Sequence, residues 1–404
     1  MMKQRKPRLP LNLNFFSYFA FFTSISALAS SETLNIEADP AKTEIVFDWN
    51  RDRCFDENIP DSPARAFRSA TGQVYLYATH YKNVPLVGPT VDKVRPSCNT
   101  LFSAASSSEP EKFDTRIWLQ TFYVTNGGKS IYSLGSSDYH GKWFNNCTTN
   151  KRNDRECWAS AIVLASSSDG GNSFTIKTPP DHIVARSPQK FSPHAHKTIG
   201  FLTTSNVVKS GSYYYSLFNV AAHKRQQGGN CLARTDNLAE PRSWRAWDGN
   251  DYTQPLYTTP VASTDGYSCT TLPSLPFKVR SLLWHTSSQT YVAVFERTKR
   301  IRTPNRRIDV RFSYSTSKDL KEWSNPKDII TLAGPQGCPR DVVPAAYPSL
   351  LDSASMDPNF GTTGNFPYLY YTKFNLKNGC RLTLDRDLVR IPIKILSENT
   401  KTQN

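Results

Sequence analysis

Ser205-Asn206-Val207-Val208-Lys209 runs through a turn at Gly211 into Tyr213-Tyr214-Tyr215-Ser216-Leu217-Phe218. A polar start, a short apolar run, a Gly turn and an aromatic run together predict two antiparallel strands. The same plan recurs. Asp61 to Phe67 leads into Gly72 and then Val74-Tyr75-Leu76-Tyr77. Ser274 to Trp284 leads through Ser287-Ser288 into Tyr291-Val292-Ala293-Val294-Phe295. Pro348-Ser349-Leu350-Leu351-Asp352 leads through a Gly-rich loop into Tyr368-Leu369-Tyr370-Tyr371. A weaker start falls near Asp138. The five starts have a mean step of 72 residues. A unit repeated at that period is the signature of a radial or stacked array.

Strands are predicted at 74–79, 161–166, 213–219, 291–296, 310–315 and 368–373. No long stretch keeps helical apolar spacing between caps. The fold class expected is all-β, a five-bladed β-propeller. The ring is expected to close by pairing a strand at 43–49 with one at 388–396, which leaves no exposed edge.

The chain has 404 residues, 12% of them aromatic, which excludes a disordered chain. The single long apolar run lies at the N-terminus. Lys3, Arg5, Lys6 and Arg8 precede the apolar stretch Phe15–Leu28, and Ala27-Leu28-Ala29 offers a small-x-small cleavage site. Residues 1–29 are predicted as a signal peptide and 30–404 as one propeller domain of a secreted, extracellular or periplasmic protein. No stable membrane insertion is expected after cleavage, and a monomer is expected. The chain from residue 30 keeps 45 basic against 34 acidic residues. That excess suits an anionic partner. Carbohydrate, especially an acidic polysaccharide, is the partner class expected. Nucleic acid is not, because no stretch interleaves basic and aromatic residues.

Eight cysteines behind a leader predict disulfides, with 105 pairings open. Sequential pairing, 54–98, 147–157, 231–269 and 338–380, is the scheme preferred. No cofactor and no metal are expected. There is no CxxC pair, and His194-Ala195-His196 lacks a third ligand.

Ser167-Ser168-Asp169-Gly170-Gly171-Asn172-Ser173-Phe174 matches the Asp-box pattern S-x-D-x-G-x-x-[FW]. Two looser relatives are Thr235-Asp236-Asn237-Leu238 and Ser317-Lys318-Asp319-Leu320-Lys321-Glu322-Trp323. These read as turns that tie outer strands, so Asp169, Asp236 and Asp319 are structural.

With Asp61 opening the first inner strand, the Ser317–Trp323 turn and the repeat arithmetic, the chain resembles the five-bladed propeller glycoside hydrolases, the arabinanase, xylosidase and invertase-like group. The resemblance covers most of the chain beyond the leader, and the Asp-box adds a likeness to sialidases. It implies Asp61 as base or nucleophile and Asp138 as the carboxylate that tunes the acid's pKa. No Glu stands at a matching inner-strand position, so the acid is unassigned.

From the residues themselves, the catalytic candidates are Asp61, Asp138 and His140. Pro60 and Pro63 fix the backbone around Asp61, and Arg65 and Arg68 follow it. Strand alternation puts Asp138 and His140 on one face, with Tyr139 between them. Substrate-binding candidates are Arg65, Arg68, Tyr139 and Asp352. Glu296 is expected to pair with Arg297. Two other readings stand beside a hydrolase: a non-catalytic carbohydrate-binding propeller, or a polysaccharide lyase using His140 or a Tyr as base.

Overall fold

The computed structural model describes residues 33–149, 155–259, 266–302, 306–338 and 342–398. The predicted leader, 1–29, lies outside them. The chain starts with two short strands, β1 (Thr33–Ala38) and β2 (Glu44–Phe47). Five antiparallel meanders follow. The first is β3 (Pro60–Arg68), β4 (Val74–Thr79), β5 (Leu86–Gly88) and β6 (Arg95–Pro96). The second is β7 (Ile117–Thr125), β8 (Ser130–His140) and β9 (Trp158–Ser167), with β10 (Thr175–Ile176) and β11 (Ile183–Ala185) both on β9.

The third contains β12 (Ile199–Thr204), β13 (Val208–Ser210), β14 (Tyr213–Val220), β15 (Gly229–Thr235), β16 (Arg245–Trp247) and β17 (Tyr252–Pro255). A short parallel pairing of β12 with β9 joins it to the second. The fourth is β18 (Val279–His285), β19 (Thr290–Ile301), β20 (Arg307–Ser317) and β21 (Lys327–Leu332). The fifth is β22 (Ala345–Leu351), β24 (Tyr368–Phe374) and β25 (Arg386–Glu398), with β23 (Thr362–Thr363) crossing to pair with β18.

The first strands of the meanders form a closed ring: β3 neighbours β7, then β12, β18, β22 and β3 again. This is β-propeller architecture. Both faces of these sheets are buried, which explains why their strands read as continuous apolar runs. On β19, Val292 and Val294 pack toward the fifth meander while Ala293 and Phe295 pack toward the third. On β14, Phe218 and Leu217 divide between the second and fourth in the same way. Each of the five core clusters fills one junction between adjacent meanders. The period of two along a strand sends alternate side chains to different clusters.

The expected closure is present: β2 pairs antiparallel with β25 (Ile45↔Val389), and β1 adds a second stretch (Ile36↔Ile395). Two expected starts are corrected. The second unit starts at Ile117, not near Asp138, which lies close to the end of β8, and the third starts at Ile199, ahead of Ser205. The far mouth of the ring is covered by the loop between β22 and β24. Its Pro358 carbonyl accepts from the Arg68 N–H at 2.8 Å, and its Gly361 carbonyl accepts from the Trp284 N–H at 2.9 Å. Asn359 Oδ1 accepts from the Val124 N–H at 2.6 Å.

At the 167–174 turn, Asp169 Oδ1 accepts from the N–H groups of Asn172 and Ser173, both at 3.0 Å, and Phe174 is buried. Asp319 does the same for Lys321 and Glu322, both at 2.9 Å, over buried Trp323. Asp236 is exposed, and its neighbours Thr235 and Asn237 take the turn N–H groups instead.

The four sequential disulfides all form, with Cα–Cα separations of 5.4 to 5.7 Å. Each is worth roughly 2–4 kcal/mol. Thiol titration of the denatured, unreduced protein is expected to find no reactive thiol. Two or more would break the scheme.

Candidate active site

Each first strand carries a register irregularity near one end. On β3 it falls between Pro60 and Arg65, on β7 between Leu119 and Thr121, and on β12 between Phe201 and Thr203. On β18 it falls between Val279 and Ser281, and on β22 between Ala346 and Ser349. A bulge frees a residue from the ladder and re-aims its side chain. Within these gaps lie Asp61, Gln120, Leu202, Arg280 and Tyr347. All five line one cavity of about 500 Å³. Tyr347 has φ of +63°, and Arg116, also on the wall, has φ of +44°. Such left-handed backbone is costly for a bulky residue and clusters at functional sites.

Asp61 is partly buried. Its Oδ1 is ion-paired with the Arg386 guanidinium and accepts from Tyr347 Oη at 3.2 Å. His80 Nε2 lies 3.9 Å from the other oxygen. Burial raises the Asp61 pKa, and Arg386 and Tyr347 oppose that only in part. Arg65, four residues on, is not among its partners.

Asp138 is 8% exposed and accepts from Ser160 Oγ at 2.7 Å. Burial pushes its pKa up to about 7, with the Asp61 charge adding to the rise and Ser160 and Lys278 opposing it. His140 shares its face, as alternation predicts, and packs between Trp143 and Trp158, with ring centroids 3.9 and 4.5 Å away. Burial, then the charge of Arg116, lowers His140 to about 3. It is therefore a neutral wall of the cavity and not a proton donor near pH 7.

The strand pairing brings Asp61, Asp138 and His140 together. The other four candidates do not line the cavity. Arg65 is 2% exposed, and it donates to Ala64 O at 3.0 Å and Ser349 Oγ at 2.9 Å and also to Arg280 O. It braces β3, β18 and β22 behind the wall. Arg68, at the opposite end of β3, stacks on Phe360. Tyr139 points to the other face of β8, stacked on Phe144, and donates to Ser108 O at 3.0 Å. Asp352 accepts from the N–H groups of Ala354 at 2.9 Å and Gly364 at 2.7 Å, closing its own loop.

Glu296 does not pair with Arg297, which goes to Asp328. Glu296 Oε1 takes Arg280 Nε at 3.1 Å and Nη2 at 2.6 Å, and Oε2 takes the Tyr347 N–H at 2.9 Å. Burial alone would raise its pKa, but Arg280 and the Tyr347 N–H outweigh it and hold it low. It is a fixed anion that positions Tyr347. Trp118, Trp158, Lys278, Tyr347 and Arg386 were not identified from sequence. Each stands in, or for Lys278 just before, a strand that reads as ordinary core or surface, with no local motif.

No family model and no curated relative matches the chain. Solved structures do, among them glycoside hydrolases of propeller fold. An alpha-L-arabinanase from Cellvibrio cellulosa, complexed with arabinohexaose, is 13% identical over 84% of this chain and 92% of its own, with a TM-score of 0.42. A GH32 beta-fructofuranosidase from Bombyx mori is 11% identical over 85% and 64%, with a TM-score of 0.41. A glycosyl hydrolase from Bacteroides ovatus is 10% identical over 89% and 93%, with a TM-score of 0.46. Likeness at this level says nothing about activity.

Asp138 gives a pH test. Folded, it keeps its proton up to about pH 7; unfolded, an Asp releases it near pH 4. Between those values the folded chain binds more protons, so stability falls as pH rises. Asp138→Asn removes that loss. The variant is expected to melt above the parent at pH 8 and level with it at pH 4. An equal difference at both pH values would show that Asp138 is not held protonated.

Proposed function

We propose that the protein is a secreted glycoside hydrolase whose catalytic pair is Asp138 and Asp61. The single observation that carries this reading is the meeting of these two carboxylates in one Trp-lined cavity, in unlike environments. Asp138 is buried, which favours the protonated form, and its one hydroxyl donor, Ser160, opposes that only in part. The Asp61 pKa is also raised by burial, but of the two Asp61 alone is bound to a guanidinium, which opposes that rise. Glycosidic cleavage needs that division, a proton donor at the leaving oxygen and a carboxylate across the sugar. Asp138 acts as the acid, Asp61 as base or nucleophile, and neutral His140 and the tryptophans as walls for the ring.

The finer expectations fit this reading. The five meanders are read as five blades and the 167–174 turn as an Asp-box, in one domain behind a cleaved leader. Four disulfides support an oxidising, extracellular compartment. The cations around the cavity favour an acidic glycan.

A screen of the protein against glycans, read by new reducing ends, tests the reaction. Ultraviolet-absorbing unsaturated products would identify a lyase instead, and no product on any glycan would leave a binding propeller. On a cleaved substrate, Asp61→Asn is expected to lower turnover per folded molecule by about 10³-fold or more. Near-normal turnover would remove Asp61 from the reaction. Parent activity is expected to fall as pH rises past about 7, where Asp138 loses its proton. A profile flat to pH 9 would exclude Asp138 as the acid.

A further inference from the structure

A second depression adjoins the cavity. It has a volume of about 540 Å³, and Phe277, Arg297, Lys299 and Arg311 line it. The two share a wall. Phe277 of the groove precedes Lys278 of the cavity, and Glu296 on the groove side holds Arg280 on the cavity side. Across both, eight cationic side chains and three carboxylates, Asp61, Asp138 and Glu296, line the walls, and Asp328 pairs with Arg297 and Arg311 beside the groove.

Four of these cations are committed to carboxylates. Arg386 serves Asp61, Arg280 serves Glu296, and Arg297 and Arg311 share Asp328. Arg116 and Lys278 are different. Among the described residues neither has a carboxylate within ion-pair distance or a hydrogen-bond partner for its side-chain donors. Arg116 is fixed by aromatic rings instead, 3.1 Å from the centroid of Trp143 and 5.0 Å from that of Tyr81. Rings position a guanidinium without occupying its N–H fork, which matches carboxylate and sulfate geometry. Lys299 lies exposed in the adjoining groove. The loop 352–363 crosses the far end of the ring, hydrogen-bonded to Arg68, Val124 and Trp284.

We propose that cavity and groove form one track for a polyanionic glycan chain, with Arg116 and Lys278 receiving carboxylate or sulfate groups in the cavity and Lys299 receiving them in the groove. This rests on the reading of the cavity as a glycan site. It adds the charge of the substrate, its polymeric character and the residues that select it.

Direct binding tests it without relying on turnover. The parent, Arg116→Gln, Lys299→Gln and a surface control, Lys129→Gln, are titrated with dextran sulfate, polygalacturonate and uncharged dextran, with melting temperatures measured alongside. The parent is expected to bind at least one polyanion and not dextran, and to lose affinity between 0.05 and 0.3 M salt. The arm that binds tells sulfate from carboxylate. Arg116→Gln and Lys299→Gln are each expected to weaken binding by about tenfold, the worth of one charged hydrogen bond. Lys129→Gln, which removes the same charge elsewhere, is expected to leave it unchanged.

Equal weakening by all three variants would reduce the track to non-specific charge. Binding of dextran as well as the polyanions, or tighter binding of single-stranded DNA than of either polyanion, would also overturn it. Polyanion binding without cleavage of any glycan would sink the hydrolase reading and leave the track. Cleavage of a neutral glycan without polyanion binding would do the reverse.

Discussion

β25 holds the molecule together by pairing on both edges. One edge takes β24; the other takes β1 and β2 from the far end of the chain. Without the N-terminal strands, that edge would carry a row of unpaired backbone groups. The same strand delivers the site. Arg386 is its first residue, and it reaches Asp61 across 325 positions of sequence. Just beyond, Asp387 Oδ1 accepts the Trp49 N–H at 3.1 Å, pinning the segment that follows β2. Closing the ring and placing the cation beside Asp61 are therefore one event.

The ring also explains how a packed core leaves a reactive hollow. Between the meanders both sheet faces are filled. At one end the five first strands depart from regular pairing, and each departure turns a residue inward. The cost is left-handed backbone at Tyr347 and Arg116. The support is a network of buried polar groups: Arg65 behind the wall, Glu296 on the Tyr347 N–H, and Tyr347 Oη on Asp61. Glu296 and Asp138 both lie on second strands, outside the inner ring. They reach the site because the long β8 and β19 extend along its wall.

Charge then decides what each acid does. Asp138 and Asp61 are close enough to feel one another, yet only Asp61 has a guanidinium at hand. Glu296 is more completely paired than either and stays ionised. Burial pushes all three carboxylates the same way, and the strength of their cationic partners separates them.

The sequence by itself determined the strands, because a period of two and runs buried on both faces are local properties. It determined the ring-closing pair 43–49 with 388–396, since both are apolar strands at the chain ends, and favoured sequential disulfides without excluding the other pairings. It placed Asp61, and it put Asp138 and His140 on one face by alternation. Only the tertiary structure decided who partners whom. Arg65 stands four residues from Asp61 but lies buried behind it, because the bulge after Pro60 turns the two side chains apart. Arg297 adjoins Glu296 but points to the opposite face of β19, leaving Glu296 to Arg280. Asp352 and Tyr139 carry suitable chemistry in suitable repeats, and a loop closure and a strand face take them away from the cavity. A side chain's partner depends on bulges and on strands hundreds of residues apart, and no local pattern encodes that.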